Sequence, residues 1–366
     1  MWDRIVARMR PLLDRPSPTR EDIERTFDGP QGEQDWHTLT RKSIAELLDE
    51  YFESEEIKAT LCVGGVIGTN AGPRNQGTAY VKYHHILGKI GGHQGAWGYV
   101  RGGMGSVSQA IDSSARRAGV EILTDAEVAE VEIQDGTATG VNLQDGRSFD
   151  ADVVLSNADP QRTYLRMVGE WNLPDDLVES VREMRTEGSV VKVLVALGEL
   201  PDFTSLPGKR IGPQHTGGIV INPSVDSLQE AWEQCQRGEP SRRPFMDGYI
   251  QSATEDRLAP PGKYTLSLFC QYAPYELSEG TWEERRDEIG ANIVDTFAEY
   301  APNLPDAIEH IEVLGPRDIE ARIRITGGNI FHGEILPEKM FEGRPVPGYS
   351  GYRTPVENLY LCGSGT

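Results

Sequence analysis

Cysteine is scarce in this sequence, with Cys62, Cys235, Cys270 and Cys362 the only four among 366 residues and no C-x-x-C among them. That spacing offers neither a dithiol redox pair nor a zinc knuckle, and it suits a reducing compartment. Of seven histidines only His84 and His85 adjoin, and no H-E-x-x-H occurs, so no metal site is expected. Basic charge is also short: 36 Lys+Arg stand against 57 Asp+Glu, a net charge of −21. Such a surface repels phosphate backbones and anionic lipid, which argues against a nucleic-acid partner and a polybasic membrane anchor. Long apolar runs are missing too. A membrane span needs about 20 residues, and the best stretch, Val190–Leu197, is interrupted by Lys192 and rich in β-branched residues. The segment 1–11 mixes Arg4, Arg8 and Arg10 with Asp3 and has no apolar core of signal-peptide length. The expected compartment is the cytoplasm, or the mitochondrial matrix if a targeting segment precedes Met1.

A dinucleotide fingerprint is lacking as well. The strand–G-x-G-x-x-G–helix pattern with its later acidic residue does not occur. VGGVIG at 63–68 has the wrong glycine spacing. RGGMG at 101–105 opens a helix, but the strand read before it, 97–101, is short and aromatic.

What is present is glycine, 40 residues of it, concentrated with aromatics between Gly64 and Gly105. Glycine permits positive φ and close approach of backbone to a ligand. The first 35 residues read as polar and turn-rich, with Pro16, Pro18, Gly29, Pro30 and Gly32. An amphipathic helix follows, Ile44, Leu47, Leu48, Tyr51 and Phe52 sharing one face, with Thr40 or Ser43 as its cap. Ser106–Ala118 reads as a helix closed by Gly119. Strands at 128–133 and 137–143 are joined by Asp135-Gly136, and Asp145-Gly146 leads to a buried-type strand at 151–158 ending Ser156-Asn157-Ala158. Further on, a helix near 174–184 and strands at 190–197, 217–222 and 264–272 suggest a second sheet. Thr281 and Glu284 form a T-x-x-E capping box for a helix at 282–300, which Pro302 stops. The short strand 359–362 feeds Gly363-Ser364-Gly365-Thr366. A strand that stops at its glycine turn reads as part of a longer chain.

Two glycine turns carry the chemistry. RGGMG at a helix N-terminus presents free N–H groups and a positive dipole end, or is an ordinary tight turn. YLCGSGT lets backbone approach a ribityl or phosphate group; its Cys362 reads as a small strand residue. The loop from Gly327 to Gly333 bears Asn329 and His332, the latter either an acid/base group or a hydrogen-bonded structural histidine. His84, His85 and His93 stand in the glycine-rich region. On a strand only one of the adjacent pair faces a cavity. Trp97 and Tyr99 read as core packing rather than stacking groups.

The stretches YFESEEIKATL, YVKYHHILG, QGAWGYVRGGMGSVSQAI, VVLSNADPQ, SLFCQYAPY, GGNIFHGE and RPVPGYSGYRTPVENLYLCGSG resemble the phytoene-desaturase-related flavoproteins over almost the whole chain. The resemblance implies an α/β fold: an incomplete FAD/NAD(P)-binding, Rossmann-like domain with a second substrate domain on an antiparallel or mixed sheet. It divides the chain into 1–100 (substrate-domain portion), 101–158 (part of the FAD domain), 159–340 (substrate domain) and 341–366 (return to the FAD domain). It also implies FAD as cofactor. Gly102, Gly103 and Met104 would lie along it, and Val128 would meet the adenine through its backbone. Asn157 and Ala158 would sit near the diphosphate, with Gly363 and Ser364 by the ribityl chain and flavin. Asn329 and His332 would approach the flavin face. The family pattern begins well before Met1 with G-x-G-x-x-G and continues past Thr366 with a glycine turn and a helix. The implied activity is desaturase- or dehydrogenase-like hydride transfer from a small apolar or amine-like substrate, with no nucleic acid and no membrane span. Oligomeric state is not readable. The rival readings are a non-catalytic interaction protein on this scaffold and an amine oxidase-like enzyme. The latter predicts an aromatic cage drawn from Tyr80, Tyr83, Trp97 and Tyr352.

Overall fold

A computed structural model describes residues 1–13, 15 and 17–366. Pro16 of the N-terminal stretch lies outside them. That stretch is helical rather than turn-rich: helices span Trp2–Leu13, Arg20–Thr26 and Pro30–Arg41. The prolines and glycines punctuate these helices. Pro30 stands in the first turn, where a missing N–H costs nothing, and Thr19 with Asp22 forms a capping box for the second helix. Ile5, Val6, Met9 and Leu12 bury one face of the first helix against Leu39, Tyr80 and Tyr83. Of the two caps expected next, Ser43 serves, its hydroxyl accepting from Glu46 N ahead of the helix Ile44–Asp49.

The pair His84–His85 ends a helix, Thr78–Ile86, not a strand. Both rings can therefore point the same way, and both lie against Phe331 at 5.8 and 6.0 Å between centroids. Flanking glycines hid this element; Gly77, at φ +86, is its N-cap. Residues 97–101 form a loop, not the expected strand, and Trp97 is 69% exposed rather than core.

Two bodies of strand organise the rest. The first is a five-stranded antiparallel sheet in the order Ile308–Leu314, Val190–Leu197, Tyr264–Gln271, Phe245–Tyr249, Ile219–Ile221. Two of its members, Ile308–Leu314 and Phe245–Tyr249, carry no clear strand pattern in the sequence. Alternation puts Val191, Val193, Val195, Leu266, Leu268 and Cys270 on one face, packed on Trp282, Ile289, Ile293 and Phe297 of the helix Trp282–Ala298.

The second body is the meander Val128–Gln134, Thr137–Leu143, Ser148–Asp150, whose Val131 and Ala138 pack with Tyr164, Val168 and Leu177; the helix Gly105–Arg117 precedes it in the chain and buries none of its residues. Asp135 and Gly136, at φ +49 and +80, make its first hairpin turn. The strand expected at 151–158 is divided. Ser148–Asp150 closes the meander directly after the Asp145-Gly146 turn, and Val154–Ser156 leaves it to pair in parallel with Leu359–Leu361. Among the described residues no helix is long and apolar enough to cross a membrane.

Candidate functional site

The parallel pair Val154–Ser156 and Leu359–Leu361 brings two sequence-distant glycine-and-small-residue ends side by side. Cys362 N donates to Ser156 O at 2.9 Å, continuing the ladder one step. Gly363 follows at φ +89, and a Cβ there would overlap Asn157 Oδ1. No other residue type fits that position without moving Asn157. Asn157, Gly363 and Ser364 are exposed and Ala158 half-buried, so the seam offers open backbone.

Buried polar groups anchor this seam from below. Ser156 Oγ and Thr163 Oγ1 are 2.7 Å apart and buried. The Asp159 carboxylate accepts from Arg162 N at 2.9 Å, Thr326 N at 3.0 Å and Thr326 Oγ1 at 2.9 Å. It thereby ties the seam to the loop bearing Asn329 and His332. Asn329 is buried, and its Oδ1 accepts from Phe331 N and Gly333 N at 2.9 and 3.2 Å, stapling that loop internally. His332 takes φ +59 and lies beside Gly365, whose Cβ position is 3.4 Å from His332 Cβ. Its Nδ1 is buried with no hydrogen-bond partner among the described residues. Burial holds its pKa below the ordinary imidazole value against the upward pull of Asp159, and Arg344 adds to the fall.

Arg344 was not singled out by any sequence signal. Its guanidinium is buried and donates to Ser364 O at 2.8 Å through Nε and to Glu334 O at 3.0 Å. It also reaches Phe331 O. One side chain thus holds the glycine turn and the histidine loop together. Burial lowers its pKa to about 10. Beside it a cavity of about 210 Å³ is lined by Tyr80, Tyr83, His84, Arg344, Tyr352 and Thr366. Tyr80 and Tyr83 pair at 5.6 Å, and the Tyr83 hydroxyl is buried without a partner among the described residues. Three of the four aromatics of the postulated cage meet here, and Trp97 does not.

The structure therefore assembles Asn157, Ala158, Gly363, Ser364, Asn329 and His332. Gly102, Gly103 and Met104 make their contacts elsewhere. The turn has φ of +84 and +83 at its glycines, and Gly102 N donates to Glu255 Oε2 at 2.8 Å. The Arg257 side chain, and then that N–H, hold the Glu255 carboxyl down at about 2. Gly103 faces Leu258, and Met104 is 71% exposed. Val128 opens the meander opposite Leu143 and is half-buried. Among the described residues no group of His, Cys, Asp and Glu could hold a metal ion.

Comparison with known proteins points one way. The family described as flavin containing amine oxidoreductase matches residues 11–245. Pyridine nucleotide-disulfide oxidoreductase domain-containing protein 2 of Mus musculus is 41% identical over 99% of this chain and 62% of its own length. A lycopene-forming phytoene desaturase of a Paracoccus species is 24% identical over 90% of this chain and 61% of the enzyme. The chain thus spans less than two thirds of these curated relatives. Among solved structures, an oxidoreductase from Methanosarcina mazei superposes with a TM-score of 0.55 at 18% identity, covering 89% of this chain and 63% of that one. It shares the fold.

Proposed function

The chain belongs to the flavin-containing amine oxidoreductase family, and from that premise we propose that it serves an FAD-dependent oxidation of a small apolar or amine-like molecule. The observation that carries this reading is the seam, where Gly363 leaves no room for a Cβ against Asn157 and opens backbone on both strand ends. An extended cofactor fits such a surface, because side chains are absent where its ribityl and phosphate groups must approach. Asn157, Ala158, Gly363 and Ser364 would hold it. The bound flavin supplies the acceptor for a hydride or its equivalent.

This chain's own residues supply position. Arg344 fixes Ser364 and Phe331 to one another, so the glycine turn and the histidine loop move as a unit. Asn329 fixes the loop's shape. His332, kept neutral near pH 7 by burial, can take or hold a proton at its unpartnered Nδ1. The test is the visible absorbance of the protein at the length of its relatives, purified and reconstituted with FAD, beside a Gly363→Val variant. Flavin bands in the parent and their loss in the variant, with circular dichroism unchanged, are the expected result. A colourless parent after reconstitution would overturn the reading.

A further inference from the structure

The Trp282–Ala298 helix covers one face of the five-stranded sheet. On the other, Phe245 and the near side of Phe269 pack against Ile44, Leu47, Val66 and Leu228, and beyond that cover the face carries charge where a sheet interior would carry hydrocarbon. Cross-strand register sets one row across four strands: Lys192 opposite Phe269, Phe269 opposite Asp247, and Asp247 opposite Val220. Directly paired residues share a face, so an ammonium, a ring, a carboxylate and an aliphatic group lie in line. Lys192 and Asp247 are two strands apart, or about 10 Å between backbones. No ion pair or hydrogen bond joins them, although each charge acts on the other through space.

Among the described residues Lys192 has no hydrogen-bond acceptor and no carboxylate within ion-pair distance, and Asp247 accepts only from Tyr249 Oη, at 3.2 Å. Both are half-buried. Burial lowers the Lys192 pKa and raises that of Asp247, outweighing the attraction each exerts on the other and the hydrogen bond from Tyr249, so the lost water is only partly replaced.

The row also has a frame. At one end Tyr249 meets the ring of Tyr99 at 6.1 Å, and the segment after Tyr249 carries Glu255, which binds Gly102 N of the RGGMG turn. At the other end Glu187 bridges to Gly328, and Gly188 N donates to Gly327 O at 2.9 Å, at the start of the loop bearing His332.

We propose that the charged, half-buried part of this sheet face is a substrate wall, taking a ligand with a protonated amine for Asp247 and a carboxylate for Lys192. A short apolar chain would join the two groups across Phe269. The assignment rests on the flavin reading above for its place in a reaction, but the wall's chemistry stands on its own residues. A simple amine leaves Lys192 unmatched, and a polyanion meets Asp247 on a protein of charge −21. Only a ligand of both signs satisfies the row.

Isothermal titration of the whole-length protein tests this with three probes: 6-aminohexanoate, hexylamine and hexanoate. The amino acid should bind at least tenfold more tightly than either monofunctional probe. Asp247→Asn should weaken it and hexylamine at least tenfold, and Lys192→Met should weaken it and hexanoate while leaving hexylamine alone. Lys192→Arg should restore carboxylate binding, and thermal melting separates loss of fold from loss of contact. Visible absorbance is recorded on the same samples. Flavin-loaded protein that ignores the probes' charges overturns the wall and leaves the flavin reading intact. The predicted probe pattern on a protein that never takes up flavin does the reverse. Binding that is equal for all three probes, or indifferent to both substitutions, overturns the wall whatever the flavin content.

Discussion

His84 lies near the end of the Thr78–Ile86 helix, against Phe331, and burial there pulls its pKa down to about 4, with His85 and Arg344 contributing. The folded protein therefore declines a proton that the unfolded chain accepts near pH 6.5. Protons bound in excess by the unfolded state make stability rise with pH. The His84 contribution is thus fully present above pH 6.5 and is lost as pH falls toward 4. Its ceiling over that window is about 3 kcal/mol, from roughly 1.4 kcal/mol per pKa unit. Urea unfolding at pH 7 and pH 4.5 should show His84→Phe losing less stability than the parent on acidification. Parallel losses would mean that the histidine is protonated in the folded state. Arg344 shows the same residue-scale logic in a group that stays charged. Its donors are spent on backbone carbonyls, so it organises the site as a clamp rather than as an ion-pair partner.

The helix Trp282–Ala298 begins at a reciprocal box, with Glu284 N donating to Thr281 Oγ1 at 3.3 Å and Thr281 N to Glu284 Oε2 at 2.9 Å. Its buried face covers the five-stranded sheet, so losing the cap weakens the larger core as well as the helix end. Thr281→Ala should cost about 1 kcal/mol in urea denaturation, and Thr281→Ser should cost little; equal losses would assign the effect to the methyl group instead. This box was legible in the sequence because both partners lie within four residues. So were the Asp135-Gly136 hairpin and the glycine end at Gly363. Elements that depend on distant partners were not legible. Phe245–Tyr249 contains Asp247 and Gly248, and becomes a strand only because Tyr264–Gln271 and Ile219–Ile221 pair with it on either side. The N-terminal helices were masked by their prolines and glycines, which sit between helices or in a first turn. The same rule divides the site. Local turns announced Asn157, Gly363 and His332, whereas Arg344 and the Lys192–Asp247 row acquire meaning only once strands far apart in sequence are in register.

The molecule as a whole sets a strong negative charge against an unusual apolar surface. The helix Gly105–Arg117 buries none of its residues. Met104, Val107 and Ile111 nevertheless recur at helical spacing and are all exposed, Ile111 by 65%. Leu155, on the parallel strand pair that carries the seam, is 68% exposed, and Val153 beside it is exposed too. Singly such residues need no explanation, but a stripe with the right period on a helix without a buried face is different. A charge of −21 opposes precipitation by keeping molecules apart, yet it does not prevent a small apolar dye from reaching the stripe. The 366-residue chain should therefore enhance the fluorescence of anilinonaphthalene sulfonate while showing native secondary structure by circular dichroism. Ile111→Glu should cut that enhancement severalfold with no loss of stability, because the side chain it replaces makes no buried contact in the fold. Fluorescence left unchanged by Ile111→Glu would move the dye site to the exposed Trp97–Tyr99 loop, and a matched Trp97→Gln variant would then carry the loss.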